Sequence, residues 1–484
     1  MSIAPPNTTE RDDTSACDNF VYDTIVIGSG PAGQKAAIQA SKAGNRVAII
    51  EKSRDLGGSC VHRGTIPSKT LRENALRVKN MRMNAAMSNF KLAEDIELNT
   101  LIDRLDEVLK AHDRYMRKQI ERCNVTVIHG RAKFQSNTEI EVVNVKGQVT
   151  RFQTKYFIIA TGSSPRAPDN IPIDHESLFD SDSLLSMMYL PNSLTVLGGG
   201  VIASEYASIF QALDVKVTMI DKYPQPLGFL DQDLTKKFIH SFEKMGGTWM
   251  GNRTVVSAHW NGFDEVTTVC EDGTEVKSEK LLCAAGRFAN VKDLSIENAG
   301  LEISDRGLIS VDENLRTKVP NIYAAGDVIG PPSLASASME QGRRASCNAL
   351  NIPVGKAHNH IPSGIYSIPE LSSVGLSESQ AREKFGDILV GISHFEEIAR
   401  GQISGIQDGM LKIVCDAQGM KILGVMIVGE GATELIHIGQ MALIADSNVD
   451  IFIESIFNFP TLAEAYRVAA LDIVEQRPAD DSSY

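Results

Sequence analysis

Long apolar runs are missing from this chain of 484 residues. No stretch of about 18 consecutive apolar residues occurs, so we expect no membrane-spanning helix. Basic residues are also scarce, because 48 lysines and arginines face 61 acidic residues and leave a formal net charge of −13. This surplus of negative charge disfavours nucleic acid or an anionic membrane surface as the main partner.

Cysteine is the second scarcity. The seven cysteines include no CxxC pair, and they lie at positions 17, 60, 123, 270, 283, 347 and 415. An odd number in so long a chain predicts free thiols in a reducing compartment, and we expect a cytoplasmic protein. Residues 1–20 contain no apolar segment that could serve as a signal peptide, so we interpret them as a disordered tail.

A strand, a glycine turn and a helix open the remainder of the chain. Residues 22–27 are a short β-branched run, and Gly28, Gly30 and Gly33 follow at the spacing GxGxxG. Glu51 ends the next apolar run, 23 residues after Gly28. This pattern is typical of a Rossmann-like unit, which binds a pyrophosphate at the helix N-terminus and a ribose hydroxyl through the carboxylate.

A second copy of this unit follows. Residues 193–197 form the predicted strand, Gly198 and Gly200 the turn, and Asp221 ends the second strand. Ala203 replaces the third glycine, which the motif tolerates. Two such units predict two bound dinucleotides, most simply FAD and a nicotinamide dinucleotide.

The segments outside the two glycine turns have other sequence patterns. Prolines and aspartates across residues 163–190 predict a linker. Small residues end two further apolar runs, one at Gly286 and one before Asp327, where a ligand can approach closely. Residues 361–484 have an α+β pattern without a glycine turn, with a predicted strand at 365–368, and we expect a smaller domain that serves as a subunit interface.

Two stretches carry the chemistry. Residues 57–69 read GGSCVHRGTIPSK, with four residues between Cys60 and Thr65 and with Lys69 at the end. Residues 457–464 read FNFPTLAE, with an aromatic residue, Phe459, before the proline.

Together with the two nucleotide units, these stretches, taken in their order across residues 21–475, resemble the pyridine nucleotide–disulfide oxidoreductase family. The resemblance implies an α/β fold with two Rossmann-like domains and a C-terminal α+β dimerisation domain. It places a discontinuous FAD domain at 21–165 and 292–360, an NAD(P) domain at 166–291 and the dimerisation domain at 361–484. A homodimer or larger homo-oligomer is implied as well.

The same resemblance implies two sets of site residues. Lys69 would lie near the flavin N5, with Glu205 as its ion-pair partner, and these two are the expected catalytic residues. The full FAD set is Gly28, Gly30, Gly33, Glu51, Lys52, Gly58, Cys60, Thr65, Lys69, Ala132, Thr161, Gly162, Asp327 and Ala335. The NAD(P) set is Gly198, Gly200, Val201, Glu205, Asp221 and Gly286.

Two departures narrow the expected reaction. Family members that use a disulfide carry a second cysteine where this chain has Thr65, and a histidine base where it has Phe459. A phenyl ring cannot move a proton, so dithiol chemistry is not expected. The expected reaction is hydride transfer between NADPH or NADH and NAD⁺ or NADP⁺ through the flavin, of the Si type. Asp221 should favour NAD, with Lys222 as a partial counterweight.

Three other functions stay open from the sequence. They are an NAD(P)H:quinone or dye reductase, a diverged dihydrolipoamide dehydrogenase with relocated thiols, and a redox-sensing FAD-binding scaffold. The direction of transfer stays open as well.

Several conspicuous side chains have plainer interpretations. We expect Cys60 and Glu464 to be structural and His437 to be packed. For His62 two interpretations stay open, a neutral loop residue or a residue that tunes Cys60 or the flavin. We expect ion pairs at Arg343 and Arg344, and a linker without metal around His358 and His360.

Overall fold

The structure is a computed structural model that describes residues 21–87, 98–357, 359–406 and 408–478. The predicted tail at 1–20 and His358 of the HxH pair lie outside the described residues. Within those ranges, no helix combines the length and the apolar character needed to cross a membrane.

The first unit is built on a sheet whose central strands are continuous apolar runs. Ile25 and Val26 are fully buried, because apolar side chains pack on both faces of the sheet. The elements are β1 Tyr22–Ile27, α1 Pro31–Lys42, β2 Val47–Glu51, α2 Gly58–His62, α3 Thr65–Met87, α4 Leu98–Arg122, β3 Thr126–His129, β4 Arg131–Phe134, β5 Glu139–Val143, β6 Val149–Ile159 and β7 Ser163–Pro165. The strand order is β3-β2-β1-β6-β5-β4, parallel from β3 to β6 and antiparallel from β6 to β4.

The second unit repeats the arrangement. Its elements are β8 Leu178–Asp180, β9 Ser193–Leu197, α5 Val201–Ala212, β10 Lys216–Ile220, α6 Gln232–Lys244, β11 Thr248–Met250, β12 Val255–Trp260, β13 Val266–Cys270, β14 Glu275–Ser278, β15 Lys280–Cys283 and β16 Arg287–Ala289. A parallel sheet has the order β11-β10-β9-β15-β8, and β12, β13 and β14 form a separate antiparallel sheet.

The predicted linker at 163–190 is wrong in part. This stretch supplies β7, which pairs with β16, and β8, which pairs with β15 at the edge of the second sheet. Each of these strands is only three residues long, and the surrounding prolines and aspartates hide their pattern. The chain therefore enters and leaves the second unit through a strand pair, β7 and β16.

The chain then returns to the first unit through β17 Ile322–Ala324 and α7 Ala335–Ala349. Strand β17 pairs in parallel with β6 and becomes the seventh strand of the first sheet. Helix α7 packs closely on α1, and a Cβ at Gly342 would collide with the carbonyl oxygen of Ala32. The second unit is thus an insertion into the first.

The third unit is a single antiparallel sheet with helices. Its elements are β18 Ser363–Ile365, β19 Leu371–Gly375, α8 Glu378–Phe385, β20 Ile388–His394, α9 Ala399–Ser404, β21 Met410–Asp416, β22 Ile422–Val428, α10 Ala432–Ile444, α11 Ile451–Glu454 and α12 Ala465–Glu475. The strand order is β18-β19-β22-β21-β20. The predicted fold class is confirmed, whereas the strand predicted at 365–368 ends at Ile365. The predicted domain boundaries stay a prediction.

A buried lysine joins the third unit to the second. Lys412 on β21 is 1% exposed and forms ion pairs with Asp231 at 3.1 Å, Asp233 at 2.8 Å and Glu378 at 2.6 Å. We call these four residues the Lys412 cluster. Burial alone would lower the pKa of Lys412, but the three carboxylates outweigh it and raise the pKa. The ammonium is therefore permanently charged at neutral pH.

Candidate active site

The first glycine turn brings main chain close to main chain. Gly28 has φ +101°, and a Cβ there would collide with the carbonyl oxygen of Ala160. Gly33 packs beneath the same turn, against the carbonyl of Gly28. Helix α1 begins after Gly30, and in the described part of the chain no side chain caps it. Its first N–H groups are consequently available to an anion.

Glu51 lies beside this turn with its carboxylate already oriented. Its Oε2 accepts hydrogen bonds from Ser29 N at 2.9 Å and Ser29 Oγ at 2.7 Å, and its Oε1 accepts one from Ser53 N at 2.8 Å. The position matches the one predicted for a ribose-binding carboxylate at the end of β2.

The second turn has the same local geometry. Gly198 has φ +115°, and a Cβ there would lie 2.7 Å from the carbonyl oxygen of Ala284. Helix α5 begins after Gly200, again without a side-chain cap in the described residues. Asp221 accepts hydrogen bonds from Gly199 N and, at 2.9 Å, from Tyr223 N. Both turns can therefore receive a pyrophosphate.

One cavity of about 1190 Å³ runs from the first turn past the second and reaches the third unit. It is lined by most of the predicted FAD residues: Gly28, Gly30, Glu51, Lys52, Gly58, Cys60, Thr65, Lys69, Ala132, Thr161, Gly162, Asp327 and Ala335. From the predicted NAD(P) set it is lined by Gly200, Val201, Glu205 and Gly286. Gly33, Gly198 and Asp221 are not in its wall.

Lys69 and Glu205 form the predicted ion pair in this cavity. Helices α3 and α5 bring them together, with Lys69 Nζ 2.7 Å from Glu205 Oε2 and 2.9 Å from Oε1. The Glu205 side chain is only 6% exposed, but that of Lys69 is 25% exposed. The ammonium group is therefore held by the carboxylate on one side and remains accessible from the cavity.

Cys60 shares the cavity wall but has no thiol partner there. It is half-buried and free, and no second cysteine of the described residues lines the cavity. Burial raises the pKa of its thiol, and a hydrogen bond with Thr65 and the charge of Lys69 offset this only in part. His62 is held by the carbonyl of Leu56, 2.7 Å from its Nε2. The arrangement offers no intramolecular disulfide within the cavity.

A polar chain that the sequence did not predict crosses the same wall. Arg287 Nε donates to Ser163 Oγ at 2.9 Å, and Ser163 Oγ donates to Asp327 Oδ2 at 2.7 Å. Arg287 also pairs with Asp182 at 3.3 Å. Ser163 directly follows Gly162, and Arg287 directly follows Gly286, two of the predicted cofactor-binding residues.

The third unit also contributes to the wall, through Tyr366, Thr433 and His437. The expectation that His437 is packed is wrong, because its ring is exposed and contacts Gln440 Oε1, 2.8 Å from Nδ1. The sequence of α10 does not show which of its faces lines the cavity and which packs against the rest of the protein.

The remaining conspicuous residues have structural contacts. Arg343 and Arg344 both pair with Glu340, which confirms the predicted ion pairs. Glu464 accepts a hydrogen bond from Thr461 N at 3.3 Å in a capping box, a contact in line with the structural role predicted for it. Phe459 is 75% exposed and does not line the cavity.

The cavity has open space beside both glycine turns, as two bound dinucleotides would require. Cβ atoms built at Gly30, Gly162, Gly200 and Gly286 would meet no atom within 4 Å, so the space beside both turns is open. The buried hydroxyl of Thr161, on the wall, has no hydrogen-bond partner among the residues that the structure describes. A bound polar ligand would satisfy such a group.

Comparison with known families gives the same assignment. The family model "Pyridine nucleotide-disulphide oxidoreductase" matches residues 22–342, and the model of that family's dimerisation domain matches residues 361–470. This chain belongs to the pyridine nucleotide-disulphide oxidoreductase family. The first match begins with β1, and the second ends within α12.

Similar curated proteins are named soluble pyridine nucleotide transhydrogenase. One from Mycobacterium tuberculosis is 40% identical over 463 residues, which are 95% of this chain and 98% of that protein. One from Pseudomonas putida is 40% identical over 464 residues, with 94% and 98% covered.

Solved structures support the same fold. LpdA from Mycobacterium tuberculosis has a TM-score of 0.86 at 26% identity and covers 93% of this chain and 99% of its own. The HOCl-induced flavoprotein disulfide reductase RclA from Escherichia coli has a TM-score of 0.84 at 28% identity, with the same coverage.

Proposed function

We propose that this protein is an FAD-dependent transhydrogenase that moves hydride between NADPH or NADH and NAD⁺ or NADP⁺ without a redox-active disulfide. The observation that carries the proposal is the cavity itself. It holds the Lys69–Glu205 pair between two glycine turns, and its only cysteine among the described residues is Cys60. The names of the curated relatives support the same reaction.

The first unit would hold FAD. The N–H groups at the start of α1 would bind its pyrophosphate, Glu51 a ribose hydroxyl and Asp327 the ribityl chain. When bound, FAD supplies a two-electron carrier that takes hydride from one nicotinamide and returns it to another.

Lys69 would supply fixed positive charge where negative charge develops during the transfer. Glu205 orients the ammonium through both carboxylate oxygens, so little reorganisation is needed at the moment of reaction. The described residues form one glycine turn besides the turn that would hold FAD. The two nicotinamide dinucleotides would therefore bind at that turn in succession. The kinetics would then be ping-pong.

Cofactor preference would be set at the end of β10. The Asp221 carboxylate favours a free 2′-hydroxyl and repels a 2′-phosphate, and Lys222 directly follows it. NAD(H) would therefore bind more tightly than NADP(H), although both would be used.

The finer assignments also belong to the proposal. Hydride transfer of the Si type rests on the resemblance alone, and a cytoplasmic location rests on the free thiols that the cysteine count predicts. Assembly as a homodimer is supported by the match of residues 361–470 to a dimerisation domain and by exposed apolar side chains on the third unit, such as Ile456 at 97% and Phe459 at 75%.

A spectrophotometric assay tests the reaction. Full-length protein loaded with FAD is given NADPH and thio-NAD⁺ without quinone, and formation of thio-NADH is followed. We expect turnover, with parallel lines in double-reciprocal plots. Absence of turnover together with rapid quinone reduction would replace the proposal with a quinone reductase, and NAD⁺ reduction by dihydrolipoamide would replace it with dithiol chemistry.

A further inference from the structure

Residues 366–370 leave the third sheet to contact the reacting pair. Strand β18 ends at Ile365, and the next N–H group, that of Tyr366, donates to Glu205 Oε1 at 2.9 Å. Two residues later, Ile368 N donates to Ser208 Oγ at 3.0 Å, one helical turn further along α5. The 366–370 segment thus follows the face of α5 that carries Glu205.

The same segment also grips α3, one turn beyond Lys69. Buried Arg72 donates from Nε to the carbonyl of Ser367 at 3.2 Å and forms an ion pair with Glu370 at 2.8 Å. Glu370 Oε2 in turn accepts hydrogen bonds from Thr433 N at 3.1 Å and Thr433 Oγ1 at 2.9 Å. The 366–370 segment is therefore fixed to α3, α5 and α10 together.

The Tyr366 ring completes the surroundings of the ammonium. Lys69 Nζ lies 4.8 Å from the ring centroid, within the range of a cation–π contact. The ammonium thus meets the Glu205 carboxylate and an aromatic face, donates a hydrogen bond to Ser68 Oγ at 3.4 Å, and lines the cavity. Simple packing of the ring would not require a cation above its face.

We propose that Tyr366 is a positioning residue for hydride transfer, which fixes Glu205 through its main-chain N–H and directs the Lys69 ammonium into the cavity through its ring. This inference rests on the proposed function, because it assigns Tyr366 a part in the reaction that Lys69 serves.

The test compares FAD-loaded, full-length Tyr366→Phe, Tyr366→Leu and a matched control. Tyr189→Leu is the control, because Tyr189 also lies beneath a lysine, Lys280, at 5.3 Å, but on the surface and away from the cavity. Each protein is measured for the rate of flavin reduction by NADPH, the NADPH concentration at half-saturation, the midpoint potential of bound FAD and the thermal midpoint.

Loss of the ring in Tyr366→Leu should slow flavin reduction about tenfold, as expected for a partly desolvated cation–π contact. The midpoint potential should become more negative, and half-saturation should change much less than the rate. Tyr366→Phe keeps the aromatic face and should restore both values to within about twofold. Tyr189→Leu should match the parental protein.

If Tyr366→Phe and Tyr366→Leu slowed flavin reduction equally, the hydroxyl and not the ring would be responsible, and the inference would be overturned. A Tyr366→Leu protein with a lower thermal midpoint but parental rate and potential would overturn it in favour of packing. Failure of the parental protein to reduce thio-NAD⁺ would count against the proposed function instead. The potentials and NADPH reduction rates would still decide the role of Tyr366.

Discussion

Two lysines in this molecule join separate units through carboxylates, and their surroundings differ in a way that separates structure from chemistry. Lys412 is 1% exposed and meets three carboxylates, so its ammonium has only internal partners. Lys69 is 25% exposed, meets one carboxylate and one aromatic ring, and opens onto a large cavity.

The two lysines differ in how completely protein groups surround the ammonium. In the Lys412 cluster negative charge exceeds positive charge, and Asp231 additionally caps α6 and accepts the N–H of Glu378. Because the lysine itself is only 1% exposed, the cluster acts as a joint between the second and third units. The Lys69–Glu205 pair balances one charge against another but leaves one side of the ammonium accessible. Ion pairing by itself therefore does not mark a reactive site.

The largest expected effect comes from breaking the joint. Lys412→Met leaves three carboxylates around a buried apolar side chain, and we expect a loss of about 3–5 kcal/mol in the free energy of unfolding. Urea unfolding followed by circular dichroism measures it. Lys277→Met, which removes an exposed lysine paired with Glu265, is the control and should leave the midpoint in place. Equal midpoints for the two variants would contradict the distinction.

The next effect concerns the reactive pair. Lys69→Met removes the positive charge at the cavity wall, and we expect flavin reduction by NADPH to slow on the order of 100-fold, as for loss of a preorganised electrostatic group. FAD should stay bound, and unfolding should shift far less than for Lys412→Met. Stopped-flow absorbance at the flavin band measures the rate, and a parental rate would remove Lys69 from the mechanism.

Asp221 extends the comparison to a carboxylate that is held by main-chain N–H groups. Asp221→Asn keeps a hydrogen-bond acceptor and removes the negative charge, so repulsion of a 2′-phosphate should fall. We expect the ratio of kcat/KM for NADPH to that for NADH to rise about tenfold, which corresponds to about 1.4 kcal/mol. An unchanged ratio would show that preference is set elsewhere.

The smallest effect is expected at Cys60, which shares the cavity with Lys69. Because its pKa is raised, the neutral thiol predominates at pH 7, and the reactive thiolate forms only as the pH rises through that pKa. Iodoacetamide should therefore label Cys60 more slowly than a model peptide thiol at pH 7, as followed by mass spectrometry, and the labelling rate of Cys60 should increase as the pH rises through its pKa.

A Cys60 variant tests whether this thiol takes part in the reaction. Cys60→Ser should retain transhydrogenase activity to within about twofold, because a lone thiol has no disulfide to form. Loss of activity in this variant would restore a redox role to Cys60.

The sequence predicted those features that depend on neighbouring residues. Both glycine turns were identified because a strand, a turn and a helix lie in about 30 residues. The Lys69–Glu205 pair was predicted through the family resemblance. The Arg287–Ser163–Asp327 chain and the contribution of Tyr366 were missed, since these contacts depend on segments brought together by folding and have no local pattern. Strand β8 was missed because three residues are too few to show a period.

The 366–370 segment is synthesised long after the residues that it contacts. Tyr366 follows its partner Glu205 by 161 residues, and Ser367 follows Arg72 by 295. Both glycine turns therefore leave the ribosome well before the segment that steadies the pair between them. Closing such long loops is slow, and so a nascent chain acquires its dinucleotide-binding turns first and its reactive geometry last.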